Sequence, residues 1–326
     1  MGTDETRIFD AAGNDVRTYP CASVLICGEI LMRLAHITAK EFDLPRTLDS
    51  GQVFHWKNHG AGYVGAIGAK AVSLEQRDDR LFFTGITGKD LARYFSLDHP
   101  LAEIRRSFPT DPTMAAARDF CDGLRIIRQP HWECLATFIT SSMKQVAHIR
   151  QISHTLRKRY GERLAIFDRE VHVFPPPNRI AKLTEPDLRA CALGYRAKTL
   201  LATARLVASG EANLEQWSSL SDDALRARLC ELPGVGAKVA NCVMLFAYER
   251  LRAFPIDVWI ERVLKEKYFP RKRKVTAQQL RAFCESYFGE HGGYAQQYLF
   301  HHARKGGGGK VVRPGDLRYD SPARNR

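Results

Sequence analysis

Lys238 and Asp257, nineteen residues apart, are the side chains of this sequence best suited to covalent chemistry. Lys238 follows LPGVG, residues 232–236, and opens a run to Tyr248 that reads as a helix. The positive end of the helix dipole disfavours an ammonium at that position, which favours the free amine a Schiff-base nucleophile needs. Asp257 stands before the helical run VWIERVLKEKYF, where a carboxylate can cap the helix or stabilise a developing positive charge. Between the lysine and a preceding helix, capped by Ser221 and ending near Glu231, Pro233 breaks the chain direction. Gly234 and Gly236 permit a tight turn with exposed N–H groups at a helix N-terminus, a ready phosphate site that reads no sequence. A Pro-Gly connection and an N-cap aspartate are also ordinary structural features, so neither identifies a site by itself.

The surrounding chain must hold these groups in place. Residues 1–40 show no clear pattern, and the first 18 are polar enough for disorder. Within 41–113, Val53 to Trp56, Tyr63 to Ile67, Ala71 to Leu74 and Leu81 to Thr84 are short β-prone runs punctuated by Gly, Asn and Asp. They read as an antiparallel meander. FPTDPT, residues 108–113, marks a boundary, and 114–304 reads almost wholly as helix, with the helix-hairpin-helix at 221–248. Val146, Ile149, Ile152 and Leu156 share one helical face, and Gly161 stops that helix. Thr184 and Ala197 begin further helices, and residues 305–326 form a flexible basic tail. Lys and Arg number 49 against 36 Asp and Glu, a net charge of +13 that suits a polyanionic partner. No apolar run is long enough to span a membrane, and the N-terminal run Val24 to Cys27 lacks the flanks of a secretory signal. An intracellular location is therefore expected, the bacterial cytoplasm and nucleoid, or the nucleus of a eukaryote. No two of the eight cysteines are spaced C-x-x-C, so neither an iron–sulfur cluster nor zinc is expected.

LPGVGAKVANC followed by PIDV resembles the helix-hairpin-helix DNA glycosylases, and within them the 8-oxoguanine DNA glycosylases that also cleave abasic sites. The resemblance runs from about residue 42 to 303. It implies an α+β fold, an antiparallel sheet domain followed by two helical subdomains flanking a DNA cleft. It implies Lys238 as the nucleophile toward the anomeric carbon and Asp257 as its carboxylate partner. DSGQVFHW then places Gly51 where a glycine carbonyl accepts the ring N–H that 8-oxoguanine has and guanine lacks. Guanine would leave that carbonyl unpaired, a penalty of ~1–3 kcal/mol. GYAQQYLF places Gln296 at the Watson–Crick edge and Phe300 on the base face, with Cys242 closing the other face. LGYRAK supplies Tyr195 as an intercalating wedge and Arg196 as a contact to the unpaired cytosine.

One stretch departs from the family. ITSSMKQVAHI holds Met143 and His148 where the family has an Asn filling the vacated space and an Arg reading the orphaned cytosine, and Trp259 replaces a His after Asp257. The resemblance further implies a structural cation bound by the carbonyls of Cys230, Leu232 and Val235. The expected partner is double-stranded DNA containing oxidised guanine, met by a monomer with no membrane association. Two other readings remain open: a monofunctional glycosylase for alkylated bases, which needs Asp257 but no lysine, and a non-catalytic helix-hairpin-helix module.

Overall fold

The computed structural model describes residues 34–141, 145–272 and 274–306. Five antiparallel strands, β1 (Ala35–Thr38), β2 (Lys57–His59), β3 (Gly62–Ile67), β4 (Lys70–Arg77) and β5 (Arg80–Thr84), pair in the order β1-β5-β4-β3-β2. Tight turns join β2 to β5, so each strand lies against its sequence neighbour; Tyr63 faces Leu74, which faces Phe83. β1 closes the far edge beside β5, with Ala35 opposite Phe83. That strand lies in the stretch where the sequence shows no pattern, because an edge strand of four residues is too short to carry one. Val53 to Trp56, read as a strand, is irregular chain packed into the core instead. Val53 joins the sheet's apolar cluster, and Trp56 lies so close to Gly65 of β3 that a Cβ there would come within 2.6 Å of its ring.

Beyond the sheet the chain is mostly helical, with one correction. β6 (Arg163–Ile166) and β7 (Arg169–His172) form an antiparallel hairpin inside the region read as helix. Ile166, Val171 and Val173 bury themselves against Val64 and Ala66 of β3, so the hairpin covers one face of the sheet. The cover lies far away in sequence, which is why only a period-two alternation at Leu164 and Ile166 signals it. The helix opened by Thr184 is also short, Glu185–Arg189, although its capping box with Asp187 forms as the residues suggest.

The boundary at 113 does not divide the apolar cores. Leu101, Ile104 and Phe108 pack into the helical core, whereas Ile127 belongs to the sheet core. The helical core is continuous from Leu101 to Leu299 and is threaded by the C-terminal helix Gly292–Lys305, whose Tyr294 and Tyr298 are fully buried. Close approach permits this: a Cβ on Gly293 would come within 2.9 Å of the Ala253 carbonyl.

Candidate active site

The hairpin forms as its residues direct. Ser221 caps the helix Asp222–Glu231 by accepting the Ala224 N–H, and Leu225 and Leu229 anchor that helix in the core. Gly234 turns the chain at φ +81°, a conformation that L side chains rarely adopt. A Cβ on it would also press within 2.9 Å of Thr199 on the helix Arg196–Ser209. Thr203, one turn further along that helix, donates its hydroxyl to the Pro233 carbonyl at 2.9 Å. The turn is thus clamped from below while its outer side, including Gly236, stays exposed. Gly236 is the N-cap of the helix Ala237–Phe246, and no atom would obstruct a Cβ there. Gly236 and Ala237 at this helix start are exposed, and the first N–H groups of a helix lack intrahelical acceptors, as a phosphate site requires.

Lys238 lies in the first turn of that helix, partly buried. Its Nζ donates to Ser141 Oγ at 3.2 Å and stands 5.1 Å from the centre of the Phe138 ring. Ser141 and Phe138 belong to the helix His131–Ser141 and were not legible as site residues, since nothing local distinguishes them from core positions. Asp257 caps the helix Val258–Val263, accepting the Ile260 N–H at 2.9 Å. Burial raises the Asp257 carboxyl above its ordinary range, against the opposing pull of the Lys238 charge and the N–H groups of Ile260 and Trp259. The amine and the carboxylate therefore share one electrostatic environment. Cys242, one turn beyond Lys238, is buried beside both; burial pushes its thiol up to about 11, with Lys238 opposing. Such a thiol packs as a small neutral group rather than acting as a nucleophile.

The base-pocket candidates come from opposite ends of the chain. Gly51 has φ +89°, and a Cβ on it would meet Phe300 Cε1 at 3.0 Å. The flanking residues are pinned by buried amides. Gln297 Nε2 donates to the Ser50 carbonyl at 2.9 Å and Gln129 Nε2 to the Gln52 carbonyl at 2.8 Å. Gln52 itself donates to the Arg125 carbonyl and accepts the Ile127 N–H. Gln296 is 4% exposed, and its Oε1 has no hydrogen-bond partner among the described residues. Buried polar atoms are ordinarily satisfied, so an open acceptor beside Phe300 fits a group awaiting a ligand donor. Gly51, Phe300, Gln296 and Cys242 are thus all buried or half-buried residues of the same body as Lys238 and Asp257.

The residues expected to meet the duplex divide. Tyr195 is 60% exposed at the start of the helix Arg196–Ser209, the most exposed large hydrophobic side chain among the described residues, as a wedge requires. Arg196 is only 4% exposed, with its guanidinium 4.3 Å from the Tyr195 ring. His148 is exposed in the first turn of the helix Val146–Tyr160. Met143 lies outside the described residues.

A helical pair with a lysine after its Pro-Gly turn, and a buried aspartate cap that feels its charge, defines a class that the comparisons specify. The model of the HhH-GPD superfamily of base excision DNA repair proteins matches residues 136–288, and that of the 8-oxoguanine DNA glycosylase N-terminal domain matches residues 35–135. The N-glycosylase/DNA lyase OGG1 of Arabidopsis thaliana is 32% identical, across 81% of this chain and 78% of that protein. Among solved structures, MBOgg1 in complex with a low-affinity DNA ligand superposes with a TM-score of 0.79 at 31% identity, covering 84% of this chain and 96% of that one. The Clostridium acetobutylicum 8-oxoguanine glycosylase/lyase, bound to duplex DNA containing cytosine opposite 8-oxoG, gives 0.77 at 31% identity, covering 82% and 93%. The chain belongs to the 8-oxoguanine DNA glycosylase family.

Proposed function

We propose that this protein flips 8-oxoguanine out of duplex DNA, excises it with Lys238 as nucleophile, and cleaves the resulting abasic site by β-elimination. The observation that carries this reading is a partly buried lysine in the first turn of the hairpin's second helix, held by Ser141, whose charge acts on the buried Asp257 carboxylate; a monofunctional glycosylase or a mere binding module would not need that lysine. The family relation supports the substrate.

The amine of Lys238 attacks C1′ of the flipped nucleotide while the bond to the base nitrogen breaks, and the base departs with that electron pair and takes up a proton. Asp257 stabilises the positive charge that develops on the sugar. Ring opening with loss of a proton from nitrogen leaves a protonated Schiff base between lysine and sugar. Removal of a C2′ proton then expels the 3′ phosphate, and water hydrolyses the imine to restore the amine. Gly51, Gln296, Phe300 and Cys242 form the base pocket in this reading, and Tyr195 fills the stack the base has left.

No metal or redox group enters these steps. A hard cation suits the hairpin, because its candidate ligands are neutral carbonyl oxygens. Leu232 already accepts the Val235 N–H at 3.1 Å, and Cys230 lies in the last helical turn, where carbonyls lack intrahelical donors. Such an ion would bridge the turn to a phosphate. Among the described residues no helix is long and apolar enough to cross a membrane. The proposed enzyme works as a monomer on intracellular DNA.

Borohydride reduction on an 8-oxoguanine duplex tests the reading, because only a Schiff base becomes a stable protein–DNA adduct. Wild type should be trapped. Lys238→Gln should yield neither adduct nor free base while still binding the duplex. Trapping of the variant at the wild-type rate would overturn the assignment.

A further inference from the structure

Gln296, Phe300 and Arg304 recur every four residues on the C-terminal helix and so line one stripe of it. The first two belong to the proposed base pocket. The third carries a guanidinium into the same place. Its Cζ stands 5.4 Å from the centre of the Phe300 ring, and its Nη1 would lie 2.8 Å from a Cβ on Gly51. Nη2 is tied down, donating to the backbone carbonyl of Asp49. The Asp49 carboxylate does not turn toward Arg304; it is held by Arg150 and by Lys305. That leaves Nε and Nη1 buried, with no hydrogen-bond partner among the described residues. Burial accordingly draws the Arg304 pKa down, and the charges of Asp49 and Asp257 oppose the shift. Desolvated N–H groups of a cation without acceptors are an unfavourable arrangement in a folded chain. An acceptor brought in by a ligand relieves it.

We propose that Arg304 is a specificity-determining residue of the base pocket, donating from Nη1 to a carbonyl oxygen of the flipped 8-oxoguanine. The proposal rests on the reading of the site as an 8-oxoguanine pocket. In that base two carbonyl oxygens, O6 and O8, flank the ring N–H that the Gly51 carbonyl would accept. A donor placed beside Gly51 therefore meets one of them. Adenine presents an amino donor in place of O6, and unoxidised purines carry a C–H at C8, so neither offers the full pair of acceptors. A charged donor here would add to the Gly51 carbonyl a second check on the oxidised edge, by a group of opposite hydrogen-bonding character. The fixed Nη2 contact orients the planar fork in advance, so little side-chain freedom is lost when the base arrives.

The test is single-turnover base release by wild type, Arg304→Leu and Arg304→Gln. Arg304→Leu should release 8-oxoguanine roughly ten- to a hundred-fold more slowly, the range of a good base-reading contact. Arg304→Gln, which keeps an N–H donor without the charge, should fall between. All three should bind a duplex carrying a tetrahydrofuran abasic analogue equally, since it presents no base to read; equal binding also shows that the variants are folded. A second substrate, 2-amino-8-oxopurine, retains O8 and lacks O6. An equal loss on both substrates assigns the contact to O8, and a loss confined to 8-oxoguanine assigns it to O6. Unchanged release by Arg304→Leu would overturn the proposal. So would a matching loss of affinity for the abasic analogue, which would make Arg304 a phosphate contact. Failure of wild type to release 8-oxoguanine would instead overturn the underlying reading.

Discussion

Asp257 serves as helix cap and as charged partner of the nucleophile, and the two roles make different demands. Asn caps a helix about as well as Asp, so Asp257→Asn should keep the Ile260 N–H bonded and the fold intact. Burial raises the Asp257 pKa in the folded protein, so its ionisation opposes folding at every pH above its ordinary value. The Asn variant should therefore melt no lower than wild type at neutral pH while excising base orders of magnitude more slowly. Near-normal turnover would reduce Asp257 to a cap. The same raised pKa sets an acid limit: excision by wild type should decline as pH falls through a value above the ordinary carboxylate range, as a pH–rate profile would register. The partner base depends on other residues. Met143 offers no amide, His148 lacks the fork of donors that an arginine has, and Arg196 is folded against Tyr195. Release of 8-oxoguanine opposite adenine should thus fall within about tenfold of that opposite cytosine. A cytosine preference near a thousandfold, in single-turnover rates on the four partner bases, would contradict this.

At the scale of elements, the hairpin contains two glycines with different reasons for being glycine. Gly234 has a positive φ and lies against Thr199 on the neighbouring helix. Gly234→Ala adds backbone strain to steric overlap and should cost about 2–4 kcal/mol of stability. Gly236 has an extended backbone and open space where a side chain would point. Gly236→Ala should change stability by no more than about 1 kcal/mol. Any larger effect should fall on DNA affinity, because the added methyl stands beside the exposed N–H groups. Urea unfolding and duplex titration of the two variants separate these outcomes. Equal destabilisation would mean that the turn is not clamped as described.

At the scale of the whole molecule, a buried polar cluster joins the sheet to the helices, and its Glu133 stands on the same helix as the Ser141 that holds Lys238. Glu133 pairs with Arg157, and His55 lies 3.6 Å from the same carboxylate while bonding the Ala66 carbonyl. Arg157 also donates to the His172 carbonyl at 3.3 Å, so sheet, helices and the β6–β7 hairpin meet at one point. Burial, and then the Arg157 charge, hold the His55 pKa well below the ordinary value, so the ring is neutral where the protein works. Glu133→Ala would strand the Arg157 charge in the interior and should cost about 3–5 kcal/mol, measurable by denaturant unfolding. A loss below about 1 kcal/mol, the range of an exposed pair, would show that water reaches the cluster.

The hairpin, its lysine, the aspartate cap and the meander were legible in the sequence because each is set by neighbouring residues. Pro233 and Gly234 right after a helical run end it, and Asp257 before an apolar run caps one. Only tertiary structure decided what depends on distant partners. The β6–β7 hairpin covers β3, about a hundred positions earlier in the chain. Ser141 meets Lys238 across 97 positions of chain, and Arg304 reaches Asp49 across 255. A local pattern records the propensity of a segment, whereas a pocket is made by surfaces that compaction brings together.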